Sequence, residues 1–469
     1  MGKLALLFLL PLLFVPAAAE DVSGMDCVLS SQGIPEAVLL FDMDLHTTQR
    51  CRENASLRLS RQEGIAGLYF VFDREYESLT LTEEETGMEA VLSTEGVLHY
   101  YVDIQKLFGS TPKALTVTFS SGEAELNELR LFTPGELPDW VQRWQIMPEG
   151  GADLLLLSAH GDDEQLFFAG LLPWYAGEQG KRVQVVYFTD HRNLTSSRVH
   201  EMLDGLWAVG VRDYPVFGAY DDYYTFDKEE AYRYYESTGY PKQELLRFVT
   251  KQLRKYRPLV AVGHDPKGEY GHGMHQLTAE LLMEAVLLSS EPDAFPELDE
   301  QYGCWSVPKC YLHLYPENQI TMNWDIPLKS FGSLTAYQVT KEQGFPCHKS
   351  QIKDFAWYFR GSELASQVEK YSPCQYGLYQ TTVGLDTDDA DFFEHLEDFH
   401  KEPSGRTPPL ETEAAAEPIQ TAPPQPEQTP PSEPRQQAEK NWLILPAVGT
   451  AVLTLLTRFL SLPSKKENS

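Results

Sequence analysis

The sequence predicts an α/β fold with a Rossmann-like, open, mostly parallel sheet, preceded by a small all-β sandwich. Three segments of the α/β part are continuous apolar runs, as expected of strands buried on both faces of a parallel sheet: 153–159, 183–190 and 259–265. Stretches with helical periodicity, 164–180 and 197–211, lie between these runs. Alternating strands and helices are typical of α/β folds, so we assign residues 150–400 to this domain, including a C-terminal extension.

The preceding segment, residues 20–136, has a different pattern. Its strand-like stretches are short, rich in β-branched and aromatic residues, and bounded by Gly, Ser or Glu clusters: 68–73, 97–104, 114–122 and 126–132. They predict an all-β sandwich. The segment resembles the galactose-binding-like jelly rolls attached to secreted carbohydrate enzymes. A carbohydrate-binding module and a purely structural domain are both open interpretations.

The two ends of the chain predict export and anchoring. Residues 1–19 have the charged start, apolar run and small-residue end of a signal peptide, with cleavage expected after Ala19. Residues 401–440 are rich in Pro, Glu and Gln and predict a disordered stalk. Residues 441–463 predict a transmembrane helix, and 464–469 a short basic cytoplasmic tail. We therefore expect a single-pass cell-surface protein whose α/β domain is extracellular.

Composition narrows the possible partners. The chain has 69 acidic and 38 basic residues, a formal net charge of −31, which argues against nucleic acid as a partner.

Six cysteines in an exported protein permit disulfides, and about 15 pairings are possible. One possible set of local pairs is Cys27–Cys51, Cys304–Cys310 and Cys347–Cys374. No CxxC motif is present, so a thiolate zinc site is not expected.

Two clusters of ionisable residues follow predicted strands. HGDDE, residues 160–164, follows the first apolar run, and HDPKGEYGHGMH, residues 264–275, follows the third. The carboxyl ends of parallel strands meet at one edge of the sheet, so the clusters are expected to converge. Catalytic zinc takes three ligands from His, Asp or Glu and keeps a position for water, whose pKa falls to about 7. A neighbouring carboxylate can accept the proton from that water, so the clusters predict a hydrolytic metal site.

The same residues carry a family resemblance. AHGDDE (159–164) followed by GEYGHGMH (268–275) resembles the PIG-L/LmbE-like zinc-dependent N-deacetylase family, in which a strand runs into AHPDDE and a later HPDH-like box follows. The helix that carries Arg198 and Glu201 is similar to the family's intervening helix. The resemblance covers roughly residues 150–290 and none of the N-terminal segment.

The resemblance implies a zinc centre and a general base. His160 and Asp163 of the first box and His275 of the second match the family's zinc ligands. Asp162 matches the base that deprotonates the attacking water. Glu164 is expected to support the site by hydrogen bonding to one of the ligands.

The resemblance also implies roles around the substrate. His272 matches the histidine that stabilises the transition state or protonates the leaving amine, and Tyr270 matches the tyrosine that helps to hold the oxyanion. Arg198 is expected to contact the substrate. Gly161 replaces the family's proline and should loosen the turn, while Met274 replaces an aspartate that would orient His272. Asp265 and Glu269 are the candidates to replace that aspartate.

Other polar and aromatic residues receive simpler interpretations. We expect His191, His264 and His313 to be ordinary hydrogen-bonded histidines. The tyrosines of 219–226 and 231–240 either stack on sugar rings or cover the sheet. The acidic segment 386–399 predicts a solvated helix.

The expected function is that of a cell-surface hydrolase that uses Zn²⁺ to remove the acetyl group from an N-acetylglucosamine-type sugar or glycan. Two alternatives stay open. The first is a catalytically inactive surface glycan-binding protein, for which Gly161 and Met274 are the evidence. The second is an amidase acting on a non-sugar acyl amine. The expected partner is the N-acetylated substrate, with the membrane contacted through the C-terminal anchor.

Overall fold

The computed structural model describes residues 17–190, 196–387, 391–396 and 399 of the 469-residue chain. All of them belong to the first of the chain's two compact units, residues 1–419. Most of the predicted signal peptide and the whole of the predicted stalk, transmembrane helix and tail lie outside the described residues. Within the described ranges, no helix is long and apolar enough to cross a membrane.

The described strands are β1 (Val28–Gln32), β2 (Gln49–Cys51), β3 (Ala55–Ser60), β4 (Gly67–Phe72), β5 (Ser78–Glu83), β6 (Glu89–Ser93), β7 (His99–Asp103), β8 (Ala114–Phe119), β9 (Ala124–Phe132), β10 (Leu154–Ser158), β11 (Val183–Thr189), β12 (Val216–Tyr220), β13 (Val260–Gly263), β14 (Lys309–His313), β15 (Gln319–Thr321) and β16 (Gln375–Thr381). The α-helices are α1 (Ile104–Phe108), α2 (Asp163–Leu166), α3 (Ser196–Ala208), α4 (Lys228–Ser237), α5 (Lys242–Tyr256), α6 (Gly273–Leu288), α7 (Pro296–Tyr302), α8 (Ala336–Val339) and α9 (Ile352–Phe355). Short π-helical turns span Pro173–Glu178 and Thr340–Gly344.

The first nine strands form two antiparallel sheets. Their orders are β1-β3-β8-β5-β6 and β2-β9-β4-β7. Strands β5 and β8 bury every second residue, the pattern of a strand with one face on the core and one on solvent. Residues of both sheets, Leu81 and Val117 from one and Phe70 and Leu129 from the other, share one core. The all-β prediction is confirmed, and the jelly-roll assignment stays a prediction.

The remaining strands form one seven-stranded sheet of order β12-β11-β10-β13-β14-β16-β15. The first five strands are parallel, and β16 and β15 are antiparallel to their neighbours. Every residue of β10, β11 and β13 is buried because both faces of the sheet are covered. Leu156 of β10 packs on one side in a core with Leu206, and Leu157 on the other in a core with Leu281. The predicted mostly parallel sheet is therefore observed.

The strand order places a crevice beside β10. From β10 the chain proceeds outward to β11 and β12 on one side, then returns to β13 and β14 on the other side of β10. The loops that follow β10 and β13 therefore leave in opposite directions and open a gap between them. Open α/β sheets bind their ligands at the carboxyl ends of strands at such a switch point.

Two predicted helices are wrong in detail. The stretch 164–180 is not one helix: α2 ends at Leu166, and Gly170 has a φ of +97°. A Cβ atom at Gly170 would lie 2.5 Å from the ring of Trp324, so a side chain has no room there. The segment 386–399 is not a solvated helix where it is described, because Phe392 is buried 4.5 Å from the ring of Tyr311.

The proposed local disulfides are not present. All six cysteines are free thiols. Three of these thiols form hydrogen bonds with groups other than cysteine. Cys27 Sγ donates to the carbonyl of Val22 at 3.1 Å, and Cys304 Sγ donates to Asp299 Oδ1 at 3.1 Å. Cys347 Sγ likewise donates to a main-chain carbonyl one helical turn earlier.

Candidate metal centre

Three side chains converge where the loops after β10 and β13 meet. His160 lies in the loop after β10, Asp163 is the first residue of α2, and His275 lies in the first turn of α6. His160 Nδ1 is 3.0 Å from Asp163 Oδ2 and 3.1 Å from His275 Nε2. The third side of the triangle, His275 Nε2 to Asp163 Oδ2, measures 3.3 Å. All three residues are buried.

This triangle fits a tetrahedral metal ion. Zinc binds nitrogen and oxygen ligands at about 2.0–2.2 Å, which places tetrahedral ligand atoms about 3.3–3.6 Å apart. The observed separations are 3.0–3.3 Å, so an ion needs only a small outward movement of the ligands. Two imidazoles and one carboxylate are also the donor set of catalytic zinc. The residues present therefore fit zinc.

Each histidine of the triangle is fixed by a carboxylate on its far nitrogen. His275 Nδ1 donates to Glu269 Oε2 at 2.7 Å. On the other histidine, Nε2 lies 3.2 Å from Oδ1 of Asp222, in the loop after β12. Carboxylates in this position set the tautomer and orientation of metal-binding histidines. The arrangement directs Nε2 of His275 and Nδ1 of His160 to the same point.

Glu269 is the centre of a larger buried network. Besides His275, it accepts hydrogen bonds from Nδ1 of His264 at 2.9 Å and from Nδ1 of His313, at the end of β14, at 2.6 Å. Nε2 of His264 accepts the amide hydrogen of Ala159 at 2.9 Å. That lone pair is therefore occupied, so we exclude His264 as a ligand although it lies 3.5 Å from Asp163 Oδ2. His264 and His313 are hydrogen-bonded histidines, as expected.

The charges in the centre are balanced by protons. Burial opposes ionisation of Asp163, but His275 and His160 hold its pKa well below the usual value. Burial likewise opposes the charged form of His275, yet Asp163 and Glu269 raise its pKa to about 9. The pKa of His160 is also raised, by Asp222 and Asp163 against the effect of burial. A cation that binds here must therefore displace the proton of His275.

Asp162 lies beside the triangle, and Arg198 lies against it. Burial raises the pKa of Asp162, and the guanidinium of Arg198, 3.7 Å away, opposes this rise. Arg198 is itself only 5% exposed; it donates to the carbonyl of Gly161 and contacts Glu201 and His348. Arg198 therefore contacts other side chains and a main-chain carbonyl of this protein, and its charge stabilises ionised Asp162. Its predicted contact with the substrate stays a prediction.

His272 and Tyr270 lie next to the ligands. The ring of His272 is 4.9 Å from that of His160 and 4.8 Å from that of His275, and Tyr270 lies 5.4 Å from His272. Burial, aided by the two neighbouring histidines, lowers the pKa of His272 to about 3. Burial and the nearby Asp163 raise the pKa of Tyr270 far above its usual value. Both side chains are therefore neutral at pH 7.

The replacement of the family's aspartate by Met274 has a visible consequence. Met274 is buried, and its sulfur accepts the hydroxyl of Tyr235 at 3.5 Å. Neither Glu269 nor Asp265 forms a hydrogen bond with His272. Glu269 accepts hydrogen bonds from His264, His275 and His313. Asp265 accepts the amide hydrogen of Lys267 at 2.9 Å. Nδ1 of His272 has no hydrogen-bond partner among the described residues.

Two further expectations about the first box are wrong. Glu164 is buried and its carboxylate lies 3.0 Å from Nε2 of His348, so it does not bond to a metal-binding side chain. Gly161 does not simply loosen the turn. A Cβ at this position would lie 2.3 Å from Cε of Met202 on α3, and the Gly161 carbonyl accepts a hydrogen bond from Arg198.

The loop after β12 forms one wall of the site. The aromatic residues of segments 219–226 and 231–240 differ in burial. Tyr220 and Tyr235 are buried in the core, whereas Tyr224 is 67% and Phe226 59% exposed. The ring of Tyr224 lies 5.1 Å from that of His272.

Sequence reasoning missed Asp222 and assigned Glu269 to the wrong histidine. Asp222 belongs to the segment AYDDYYTF, in which only the aromatic residues were given an interpretation from the sequence. A signal was present, because two adjacent acids follow a strand of the same parallel sheet. The position of Glu269 between His264 and His275 is set by the turn at Tyr270, whose φ is +47°, and the sequence pattern does not show it.

Comparison with known proteins agrees with this geometry. Residues 155–286 match the family described as PIG-L: GlcNAc-PI de-N-acetylase. The 1D-myo-inositol 2-acetamido-2-deoxy-alpha-D-glucopyranoside deacetylase of Streptomyces scabiei is 28% identical over 191 residues, 36% of this chain and 58% of that protein. The deacetylase 1 of the same description from Catenulispora acidiphila is 26% identical over 194 residues, with the same coverage of 36% and 58%.

Among solved structures, the N,N'-diacetylchitobiose deacetylase of Pyrococcus horikoshii is 19% identical, with a TM-score of 0.33, and the match covers 48% of this chain and 82% of that one. The chain spans 58% of the length of the first two curated relatives. The match to the family model includes the loops after β10 and β13 and all residues of the metal triangle. Residues 155–286 of this chain are a PIG-L family domain.

Proposed function

We propose that the protein is a zinc-dependent deacetylase that removes the N-acetyl group from an N-acetylglucosamine-type sugar or glycan. The observation that carries this proposal is the convergence of His160, Asp163 and His275 on one point, with Asp162 beside them. The resemblance to relatives described as deacetylases of an acetamido sugar supports the choice of bond and substrate class.

Zinc would be held by His160 Nδ1, Asp163 Oδ2 and His275 Nε2. When bound, it supplies a Lewis acid for the amide carbonyl and a lower pKa for water. Asp162 accepts the proton of the attacking water, and its raised pKa makes it a stronger base than an exposed aspartate. Arg198 keeps Asp162 ionised and oriented.

The neutral side chains of Tyr270 and His272 act on the other side of the reacting amide. Because its pKa is raised, Tyr270 keeps its proton and donates a hydrogen bond to the oxygen on which negative charge develops. His272, with a lowered pKa, is neutral and serves as a hydrogen-bonding group for the transition state rather than as a stored proton. The proton taken up by Asp162 is then the one that reaches the leaving nitrogen.

The location of the enzyme is part of the proposal. Export, a single C-terminal anchor and an extracellular catalytic domain are supported by the sequence of the two chain ends. An extracellular site favours a glycan as the acetylated substrate.

The test compares the full-length protein, purified in detergent, with two variants. Asp162→Asn is expected to retain about one zinc ion per chain but to lose hydrolysis of N-acetylglucosamine oligosaccharides by at least about 10³-fold. His160→Ala is expected to lose the metal as well. Zinc content is measured by elemental analysis and acetate release by an enzymatic assay. Full activity of Asp162→Asn would eliminate that residue as the base, and the absence of metal from the unsubstituted protein would refute the hydrolase.

The two alternatives predict different results. An inactive glycan-binding protein would bind oligosaccharides, with or without zinc, but release no acetate. An amidase for non-sugar substrates would release acetate from simple N-acyl amines with no preference for sugars. The complete set of ligands and base argues against the inactive alternative, because loss of activity commonly removes one of them.

A carbohydrate-binding role for the N-terminal sheets is a second proposal. A cleft of about 1320 Å³ is lined by residues of the β2-β9-β4-β7 sheet, of helix α3 and of the segment that follows β9, among them Tyr101, Trp207 and Trp140. Trp140 is 49% exposed there. The Trp140→Ala variant of the whole protein should bind insoluble glycans more weakly than the unsubstituted protein. Equal binding would leave these sheets with a structural role.

A further inference from the structure

Two exposed aromatic side chains lie on the loop between β12 and α4, residues 221–227. Tyr224 is 67% and Phe226 59% exposed, and their rings meet edge to face at 5.3 Å and 78°. Rings this exposed contribute little to burial of apolar surface, so folding alone gives no reason to keep them.

The loop that presents these rings is held at both ends. The carbonyl of Asp221 accepts the hydroxyl of Tyr235 at 2.7 Å, and the carbonyl of Thr225 accepts the amide of Gly273, the first residue of α6, at 2.6 Å. The side chain of Asp227 caps α4 by accepting the amide of Glu229 at 2.9 Å. The exposure of the two rings is therefore not the result of an unanchored loop.

The position of the pair relates it to the metal centre. Tyr224 lies 5.1 Å from the ring of His272, which in turn lies 4.8 Å from His275. Asp222 of the same loop contacts His160 at 3.2 Å. Phe226 contacts Tyr224 at 5.3 Å, so the two rings form one aromatic surface beside the metal centre.

We propose that Tyr224 and Phe226 form a stacking surface for a second sugar ring of the substrate, next to the ring that carries the reacting acetamide. This inference rests on the proposed deacetylase function. Pyranose rings present a C–H face that packs on aromatic rings, while their hydroxyl groups remain in water. The enzyme should therefore prefer oligosaccharides of at least two rings to the monosaccharide.

The charges around the rings indicate a neutral ligand. The exposed residues beside Tyr224 and Phe226 include the acids Asp221, Asp222 and Asp227, and Arg233 lies 4.0 Å from Asp227. Nearby Lys228 is engaged with Glu280. An acidic rim repels phosphate and carboxylate groups, so it disfavours an anionic lipid head group and suits an uncharged glycan.

The experiment measures kcat and KM on N-acetylglucosamine, on its β-1,4-linked dimer and on its octyl glycoside. The unsubstituted protein is expected to favour the dimer over the monosaccharide by about 5- to 10-fold in kcat/KM, through KM. Tyr224→Ala and Phe226→Ala should each lose most of this ratio, whereas Tyr224→Phe keeps the ring and the ratio. Tyr240→Ala, a change at a partly exposed tyrosine that packs on Tyr220, is the matched control and should keep it too.

Equal kcat/KM for dimer and monosaccharide in the unsubstituted protein would overturn the proposal. So would a ratio that survives Tyr224→Ala, or an octyl glycoside that is preferred to the dimer, because the rings would then serve an alkyl chain. Calorimetric binding of the dimer to Asp162→Asn, with and without Tyr224→Ala, gives a readout that does not depend on turnover. Tight dimer binding that weakens with Tyr224→Ala would support the stacking surface even if the unsubstituted protein releases no acetate, and absence of acetate release by the unsubstituted protein would refute the deacetylase alone.

Discussion

The Nδ1 atom of His275 donates a 2.7 Å hydrogen bond to Oε2 of Glu269, a carboxylate with no exposed surface that also binds two other histidines. This bond leaves Nε2 of His275 free to face Asp163 and His160. A buried carboxylate behind a metal-binding histidine raises its basicity and fixes its ring. Glu269 thus ties the metal centre to the ends of β13 and β14.

Replacing Glu269 should therefore weaken both metal binding and folding. In Glu269→Gln, the new amide N–H faces at least one histidine N–H, and two donors cannot form a hydrogen bond. We therefore expect zinc affinity to fall by about 10- to 100-fold and the free energy of unfolding to fall by about 3 kcal/mol. Competition with a chelator measures the affinity, and thermal unfolding the stability. Asp265→Asn, which keeps an acceptor for the Lys267 amide, is the control and should change neither. Equal behaviour of the two variants would contradict the role of Glu269.

Asp222 should have a milder, more specific effect. Its carboxylate reaches His160 at 3.2 Å but its side chain is 35% exposed, so water can replace part of the contact. Asp222→Asn is expected to lower zinc affinity by about tenfold without a measurable change in thermal stability. Asp221→Asn, one residue earlier on the same loop, is the matched control. An Asp222→Asn variant with unaltered affinity would show that His160 is oriented by other groups.

Metal binding should release protons. The pKa of His275 is raised to about 9, so this histidine holds a proton at pH 7 that a metal ion must displace, and the pKa of His160 is raised in the same direction. Zinc affinity is therefore expected to fall between pH 8 and pH 6, by about tenfold per pH unit for each displaced proton. Titration calorimetry in buffers of different ionisation enthalpy counts the protons released. An affinity independent of pH over this range would contradict the protonated state.

Arg198 should set the acid limb of the pH–rate profile. Its positive charge, 3.7 Å from Asp162, opposes the rise in the pKa of that carboxyl caused by burial. Arg198→Gln removes the charge, so the pKa of Asp162 should rise further and the acid limb of kcat/KM should move to higher pH by about one unit. Arg198→Lys keeps the charge and should shift the limb less. A limb that moves to lower pH, or that moves equally in both variants, would falsify the assignment.

The space at Gly161 should be limited by Met202. A Cβ at Gly161 would lie within 2.3–2.7 Å of three atoms of that side chain, so Gly161→Ala is expected to cost about 1–3 kcal/mol and to lower activity. Met202→Ala opens a cavity of its own but removes the clash. The double variant should therefore be more stable than the sum of the two single changes predicts, by at least about 1 kcal/mol. Additive effects would place the strain elsewhere.

The sequence alone determined the strands and the residues at their ends. Continuous apolar runs require burial on both faces, so β10, β11 and β13 follow from composition and period. The rule that ligands bind at the carboxyl ends of parallel strands predicts that the clusters 160–164 and 264–275 converge, and the family resemblance implies His160, Asp163 and His275 as the ligands among them. The break of the 164–180 helix at Gly170 does not follow from the local sequence, because the ring of Trp324, distant in the chain, packs against Gly170.

The tertiary structure decided which groups surround these ligands. Asp222 faces His160 across 62 positions of sequence, and His313 reaches Glu269 across 44. Such pairings depend on strand order and on the path of each loop, and no local period encodes either. The same holds for Arg198, which the sequence predicted to contact the substrate and which the fold places against Asp162. The local sequence thus specifies which residue types lie at the strand ends. The residue that contacts each of these side chains, and so sets its orientation and charge, is determined only when loops distant in sequence pack together.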